Sequence, residues 1–525
     1  MTNSISDIRE TDLMFVIGSN TTENHPVIAN FMRQAKKRGA KLIVADPREI
    51  DLAKIADIYL QIKPGSNIAL INAMMHEIIK NKWYDQEFVA AQTEGFAELA
   101  AHIQDFTPEK VAEVCAVSAE DIKKAAQMYA AAEKAGIFYA MGITQHLSGV
   151  HATMALSNLA MLCGNLGKEA AGINPLRGQN NVQGASDMGC LPGDYPGYQK
   201  VYHPEARKKF EQAWGVSLPA KTGLTLSEII HGGADGTIKF LYITGENPMM
   251  TDPDLKKVRH SLTSLEFLVV QDIFLTETAA LADVVLPASS FAEKDGTFTN
   301  TERRVQRVRK AIEPIGDSKP DWVIFSELMA RLGRPQSYRS PADIMAEIAG
   351  LVPEYAGITY ERLDEVGIQW PCYSADHPGT PILHQDKIER GKGLFVTVDN
   401  ISSAELANYD YPFIMTTGRN LYQYHAMSMS GKVDELNKKA SESYIEINTA
   451  TVERLGLKDG DQVKVTSRRG SLITTVKATD RIAEEVMFMP MHFADAKVNY
   501  LTNTVTDKMA KIPELKVAAV RVEKV

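Results

Sequence analysis

Cysteine is scarce in this sequence. Its 525 residues contain four, Cys115, Cys163, Cys190 and Cys372, and none falls into a CxxC or other ligand spacing. That excludes a disulfide framework and any iron–sulfur motif carried by these residues, and it fits a reducing, cytoplasmic setting. No apolar run of about 18 residues occurs, so no transmembrane segment is expected. The opening MTNSISDIRETD lacks the basic and apolar regions of a signal peptide. Basic charge is not in excess: the formal net charge is -9, which argues against nucleic acid as a partner. No GxGxxG follows a strand, which argues against a nicotinamide dehydrogenase.

What is present is an ordinary globular composition, 44% apolar and 23% charged, over a length that accommodates three or four domains. DLMFVIGSN reads as a buried strand entering a glycine turn. HPVIANFMRQAKKRG follows as a helix with Pro26 at its start and Gly39 after a basic last turn. AKLIVADPR is a second buried strand, which completes a βαβ unit and implies a parallel sheet. SNIALINAMMHEIIKN and SAEDIKKAAQMYAAAEKAG read as helices, the second capped by Ser118 with Gly136 at its exit. The plan recurs in IKFLYITGENP and LEFLVVQDIFLTETAALADVVLPA. Residues from about 340 to 400 read as irregular. From Tyr411 on, short β-type runs with tight turns replace the helices. The expected fold is therefore α/β, with two doubly wound parallel-sheet domains and a mostly β C-terminal barrel. The expected boundaries are 1–179, 180–340, an irregular connecting segment 341–405, and 406–525.

In open α/β sheets ligands bind at the carboxyl ends of strands. That makes Gly18 to Asn20, Asp46 to Arg48, Gly142 to Gln145, Gly245 to Asn247 and Gln271-Asp272 candidate rims. FAEKDGTFTNTERRVQ, by contrast, reads as a solvated loop with charge pairs. His146 and His151, five apart on an expected helix, do not share a face and read as structural. The loop INPLRGQNNVQGASDMG is denser still: Arg177, Gln179, Asn180, Asn181 and Gln183 with hardly an apolar side chain. Buried amides require polar partners.

Taken in order, VIGSNTTENHP, VADPR, IKPGSN, AMGITQ, NPLRGQNNVQGASDMG, ITGENP, EKDGTFTNTERRVQ and IEINTATVERLGLKDGDQVKVTSRRG resemble the molybdopterin oxidoreductase family. RGQNNVQGASDMG resembles in particular the catalytic (alpha) subunit of molybdenum- or tungsten-dependent formate dehydrogenase. The resemblance implies a metal held by two pterin–guanine dinucleotides (bis-molybdopterin guanine dinucleotide with Mo or W), one per α/β domain, with the barrel closing over both. It implies reversible oxidation of formate to carbon dioxide, and iron–sulfur electron-transfer or hydrogenase subunits as partners. Arg177 is carried over as the substrate arginine and Gln179 as a cofactor contact. The first sheet would contribute Gly18, Asn20, Glu23, Asp46, Arg48, Gly65, Asn67, Gly142 and Gln145. The second would contribute Gly245, Asn247, Thr251, Gln271 and Asp272. The barrel would contribute Gly418, Arg419, Leu421, Gln423, His425, Asn499 and Lys516.

This sequence departs from the family in two ways. Gln423 stands where relatives often have histidine. The family's N-terminal cysteine cluster for a [4Fe–4S] centre, and its selenocysteine or cysteine metal ligand, do not occur, so no metal ligand is assigned to any residue here. The expectation is that both belong to a missing N-terminal part, and that the chain by itself is inactive. The alternatives are another molybdopterin oxyanion reductase, nitrate reductase-like, or a non-catalytic cofactor-holding module.

Overall fold

In the computed structural model, which describes Met1 to Val525, strand β1 (Leu13–Ile17) is buried along its whole length. Helix α1 (Pro26–Lys37) follows with proline in its first turn, and then β2 (Lys41–Ala45) and β3 (Ile58–Leu60). Helices α2 (Asn67–Lys80) and α3 (Ala119–Ala131), strand β4 (Ala135–Tyr139), helix α4 (Gly149–Leu162) and strand β5 (Gly172–Pro175) complete the first layer system. The strands pair in parallel in the order β3-β2-β1-β4-β5.

The alternation along β1 shows why the sheet is doubly wound. Met14 and Val16 pack with Ile28 and Met32 of α1 on one face. Leu13, Phe15 and Ile17 pack with Met74 of α2, Tyr129 of α3 and Leu156 of α4 on the other. Successive strand side chains point to opposite faces, so a strand apolar at every position needs helices on both. Ser118 caps α3 by accepting from the Asp121 N–H, as expected. Gly136 does not end that helix. It lies within β4, where a Cβ would come within 2.8 Å of the Phe138 ring.

The second region begins with the short helix α5 (Val182–Asp187) inside the amide-rich loop. A three-stranded parallel sheet follows, β6 (Phe240–Thr244), β7 (Phe267–Asp272) and β8 (Val284–Pro287), with β7 central. The stretch read as a solvated loop is a hairpin of β9 (Gly296–Thr299) and β10 (Arg304–Val308). Its ionic residues outnumber Phe298, Val305 and Val308, the apolar residues of the pair. Arg303, in the turn at φ 68, is 2% exposed and donates to the carbonyls of Trp370, Thr380 and Pro381.

Residues 340–400 are likewise less irregular than expected. Helix α6 (Pro341–Leu351) starts at a Ser340–Asp343 capping box, and β11 (Ile368–Gln369) extends the hairpin sheet. A proline that reads as a breaker is here the first residue of a helix.

The C-terminal strands are β12 (Phe413–Gly418), β13 (Tyr444–Ile447), β14 (Gln462–Thr466), β15 (Ser471–Ala478), β16 (Val486–Pro490) and β17 (Ala518–Lys524). They close a barrel in the order β12-β16-β13-β15-β14-β17. Met415, Ile445, Val463, Val465, Met487 and Val520 fill it, all less than 1% exposed. Closure leaves no sheet edge unpaired.

By contacts the chain forms two units. One is Met1–Leu176 with Met250–Lys256 and Ile382–Val525, so the first sheet and the barrel share a unit; the other is Arg177–Met249 with Lys257–Pro381. No helix is long and apolar enough to cross a membrane.

Candidate functional site

The first sheet changes direction of winding between β1 and β4, and their carboxyl ends meet at two glycines. The Gly142 N–H donates to the Gly18 carbonyl at 3.0 Å. A Cβ on Gly142 would stand 2.6 Å from the Gly18 Cα, and one on Gly18 would stand 2.7 Å from the Gly142 carbonyl carbon. Neither position tolerates a side chain, and Gly18 also has φ +57. This is the switch-point crevice where open α/β sheets bind ligands.

Polar groups converge on it. The Asn67 amide donates to the Gly142 carbonyl at 3.4 Å, and the His146 Nε2 lies 3.0 Å from the same oxygen. His146 precedes α4 rather than lying on it, so the expectation that it shares a helix with His151 is corrected. Burial pushes its imidazole down to about 4, and its Nδ1 is buried without a partner. Both polar atoms of the Asn20 side chain are also buried and unpartnered. Gly65, at φ +90, turns the chain into α2, and a Cβ there would meet Ser403 Oγ at 2.6 Å.

From the barrel side, the Lys516 backbone N–H reaches the Gln145 carbonyl at 3.3 Å, and its ammonium donates to the Thr417 carbonyl at 2.7 Å. The Lys516 side chain is partly reachable by solvent yet surrounded by protein. Desolvation, reinforced by the Arg419 charge and opposed by Asp46, pushes its ammonium down to about 7. Arg419, just beyond Gly418 at the end of β12, has no hydrogen-bond or ion-pair partner in the chain, and burial lowers its pKa. Asp46 is pushed up to about 6 by desolvation, against the pull of the Arg48 N–H and its charge. The crevice therefore gathers two cations without carboxylates paired to them and a partly desolvated acid. A site that keeps unpaired cations and idle amides is organised for an anionic, hydrogen-bonding ligand.

Histidines order the loop after β12. His492, fully buried, donates from Nδ1 to the His425 carbonyl at 2.5 Å and accepts the Asn420 N–H on Nε2 at 2.8 Å. Those two bonds fix one neutral tautomer, and desolvation pushes both His492 and His425 down to about 4. The Asn420 Nδ2 is buried and unpartnered.

Other expected residues are occupied by the protein itself. Arg48 makes a bidentate bond to Glu446 of β13, at 2.6 and 2.8 Å, and lies 4.1 Å over the Phe488 ring of β16. Register explains the pairing, because Glu446 and Phe488 are directly opposite across the barrel strands. Glu23 is 3.7 Å from the same guanidinium. Gln423 is 4% exposed, donates to Asn437 and to the Ala440 carbonyl, and accepts from Ser430. Asn499 donates to the carbonyls of Met250 and Thr251 and accepts from Thr502. These three act in the structure as ties within the unit. Leu421 is 46% exposed on the same loop as Arg419.

In the second unit, Gly245, Gln271 and Asp272 share the carboxyl ends of β6 and β7, and the Gly245 N–H donates to the Gln271 carbonyl at 2.9 Å. Gln271, fully buried, accepts from Tyr242 and donates to Asp321. Asn247 donates to Glu277 at 2.8 Å and accepts from Thr278. Desolvation raises the Asp272 carboxyl. Arg177 and Gln179 are half-buried in the loop before α5. The Arg177 N–H donates to Thr301 at 3.2 Å, and Asn181 accepts the Thr299 N–H at 2.9 Å, so the hairpin pegs the loop. Asn181 Oδ1 and the Gln183 amide, which donates to Asp187 and Tyr198, therefore serve the fold.

Sequence reasoning missed Glu446, Asn420, His492 and Asp187. A carboxylate between two isoleucines in YIEI was a legible signal for the first. Nothing in MPMHF marks His492.

Known proteins give the site a context. The Molybdopterin oxidoreductase family matches residues 1–331, and the Molydopterin dinucleotide binding domain matches residues 413–519. The chain is 52% identical over 529 aligned residues to the F420-dependent formate dehydrogenase subunit alpha of Methanocaldococcus jannaschii, covering 100% of this chain and 78% of that protein. It is 45% identical to formate dehydrogenase H of Escherichia coli, covering 100% of this chain and 74% of that protein. Acetylene hydratase from Pelobacter acetylenicus shares the fold, with a TM-score of 0.79 at 21% identity over 100% of this chain and 79% of that one.

Proposed function

Because the chain belongs to the molybdopterin oxidoreductase family and carries its dinucleotide-binding domain, we propose that it is the catalytic subunit of a formate dehydrogenase. The reaction is reversible: formate yields carbon dioxide, one proton and two electrons. Two molybdopterin guanine dinucleotides carrying molybdenum or tungsten are the cofactor, one at the rim of each parallel sheet. The electrons pass to iron–sulfur or hydrogenase partner subunits. Whole-chain identity to formate dehydrogenase alpha subunits supports the substrate. The observation that carries the cofactor assignment is the crevice at Gly18 and Gly142, with its idle Asn20 amide and its unpaired Arg419.

The residues present fit the group. Lys516 and Arg419 would hold the pyrophosphate and neutralise its charge, and the two glycines would leave it room. A bound phosphate would return the Lys516 ammonium toward its ordinary pKa. Asp46 and Asp272, each desolvated at a strand end, offer carboxylate oxygens that match the N–H donors along the guanine edge. The Asn20 amide and the Asn420 Nδ2 have no protein partner and are available as hydrogen-bonding groups. The bound metal–pterin centre supplies the two-electron redox change. For the substrate, Arg177 presents a planar, permanently charged fork that suits the two oxygens of formate and sets the direction of its C–H bond. Gln179, two residues on, offers an uncharged amide to the pterin.

The test uses the complete, cofactor-loaded enzyme. Acid release should give two guanine nucleotides per chain, and formate should reduce a viologen dye. A single nucleotide would remove the second sheet's assignment, and dye reduction by another substrate alone would overturn formate.

A further inference from the structure

Asp187, at the end of α5, is 1% exposed, and its carboxylate takes four hydrogen bonds. Oδ1 accepts from Gln183 Nε2 and from the Tyr198 hydroxyl, both at 2.7 Å. Oδ2 accepts from the Tyr355 hydroxyl at 2.7 Å and from the Trp370 indole N–H at 2.8 Å. A carboxylate offers about four lone-pair positions, so this one is filled, and every donor is neutral. The donors form an aromatic wall. Trp370 stacks on Tyr355 with centroids 6.5 Å apart and lies 6.4 Å from Tyr198. Arg303 lies 5.6 Å over the Trp370 ring, and its charge and the Asp187 charge attract.

This node sits beside the loop that carries Arg177. The two ends of the loop are pegged to the hairpin, Arg177 by Thr301 and Asn181 by Thr299. Gly184 permits the second peg, because a Cβ there would fall 2.1 Å from Asn181 Oδ1. Asp187 ties down the helix that follows. The Tyr198 hydroxyl, held by Asp187, is close enough for the Arg177 charge to act on its ionisation. A buried carboxylate with no cation bonded to it is costly unless its hydrogen bonds are complete, so the arrangement is rigid or it fails.

We propose that Asp187 is a positioning residue for Arg177: by ordering Tyr198, Tyr355 and Trp370 around α5, it sets where the guanidinium meets the substrate carboxylate. The inference rests on the reading of Arg177 as the formate-binding arginine. Asp187 itself touches neither substrate nor cofactor.

The test compares the complete enzyme with its D187N variant in formate-dependent dye reduction. The amide keeps the volume but turns N–H donors toward groups that are themselves donors. The expected result is at least a tenfold rise in KM for formate, with KM for the dye and the guanine nucleotide content per chain unchanged. A purely structural role would lower the yield of loaded enzyme and leave KM for formate alone, and that result overturns the proposal. Should D187N not fold, Y198F removes one donor only, and a KM for formate unchanged in that variant likewise overturns it. R177K separates the two levels. Full formate kinetics in R177K sinks the reading of the site, whereas a crippled R177K beside a normal D187N sinks the positioning role alone.

Discussion

Lys516→Met asks whether the crevice at the first sheet is built around an absent anion. Burial takes the ammonium from 10.5 to about 7. At about 1.4 kcal/mol per pH unit, that shift corresponds to about 5 kcal/mol for a dry group. Solvent reaches part of this side chain, so roughly half of it is realistic, ~2–3 kcal/mol. Methionine gives up the bond to the Thr417 carbonyl, worth ~1 kcal/mol. The cofactor-free variant should therefore be more stable than the parent by about 1–2 kcal/mol at pH 7.

The pH dependence has a definite sign. The folded state binds fewer protons than the unfolded state between about 7 and 10.5, so parental stability rises with pH across that window, and the variant loses the slope. Asp46, raised from 3.8 to about 6, acts in the opposite sense at lower pH, where stability falls as pH rises. Urea denaturation of cofactor-free protein at pH 7 and pH 9 reads the first effect, and calorimetric titration with GDP reads the binding. The variant should bind GDP at least tenfold more weakly. A variant less stable than the parent at pH 7, or one with unchanged GDP affinity, refutes the argument.

Three other substitutions follow from the geometry. Arg177→Lys exchanges a planar fork for a point charge and should lower kcat/KM for formate by ~2–4 kcal/mol of transition-state stabilisation with normal cofactor content; near-parental kinetics would contradict it. Glu446→Gln leaves the buried Arg48 guanidinium with Glu23, 3.7 Å away, as its remaining carboxylate, and should cost ~2–4 kcal/mol in the unfolding of the unit that holds the first sheet and the barrel; a loss below ~1 kcal/mol by denaturant titration would show that the pair is not the tie described. Gly142→Ala places a methyl 2.6 Å from the Gly18 Cα and should cost ~1–3 kcal/mol and lower the guanine nucleotide content; full loading would show the two strand ends can part freely.

Much of the fold was legible because β1 and β4 are apolar throughout, β2 is apolar after Lys41, α1 starts on a proline and α3 carries its own Ser118 cap. The barrel was legible from the alternation in DQVKVT and SLITTVKA. The hairpin at 296–308 was not, because Arg303, Arg304 and Arg307 look like solvated charge while each is spent on carbonyls or carboxylates. At the site, strand-end glycines and Asp46 could be found by rule. Roles for Arg48, Gln423 and Asn499 could not be judged, since what decides them is a partner 398 residues away for Arg48, carbonyls 248 and 249 residues away for Asn499, and the packing of its own loop for Gln423. Asp187 was hidden among amides that look alike in sequence, because its four donors come from Gln183, Tyr198, Tyr355 and Trp370, the last two far along the chain.

The order in which residues appear in the first unit bears on synthesis. Its first sheet is complete at Leu176, but apart from Met250–Lys256 the unit resumes only at Ile382, ahead of the barrel that supplies Arg419, Glu446 and Lys516. At about 5–20 residues per second, a ribosome adds the intervening stretch in roughly ten to forty seconds. Until Glu446 and Lys516 are added, Arg48 has only Glu23, 3.7 Å away, and the Gly18–Gly142 crevice lacks its barrel-side groups. The nascent first sheet is therefore a half-site, able to expose a cation and idle amides before its counterpart exists. On the reading of the crevice as a nucleotide site, delivery before the last strand emerges would meet only that half, and the chain with β17 paired to β12 is the form that presents both walls.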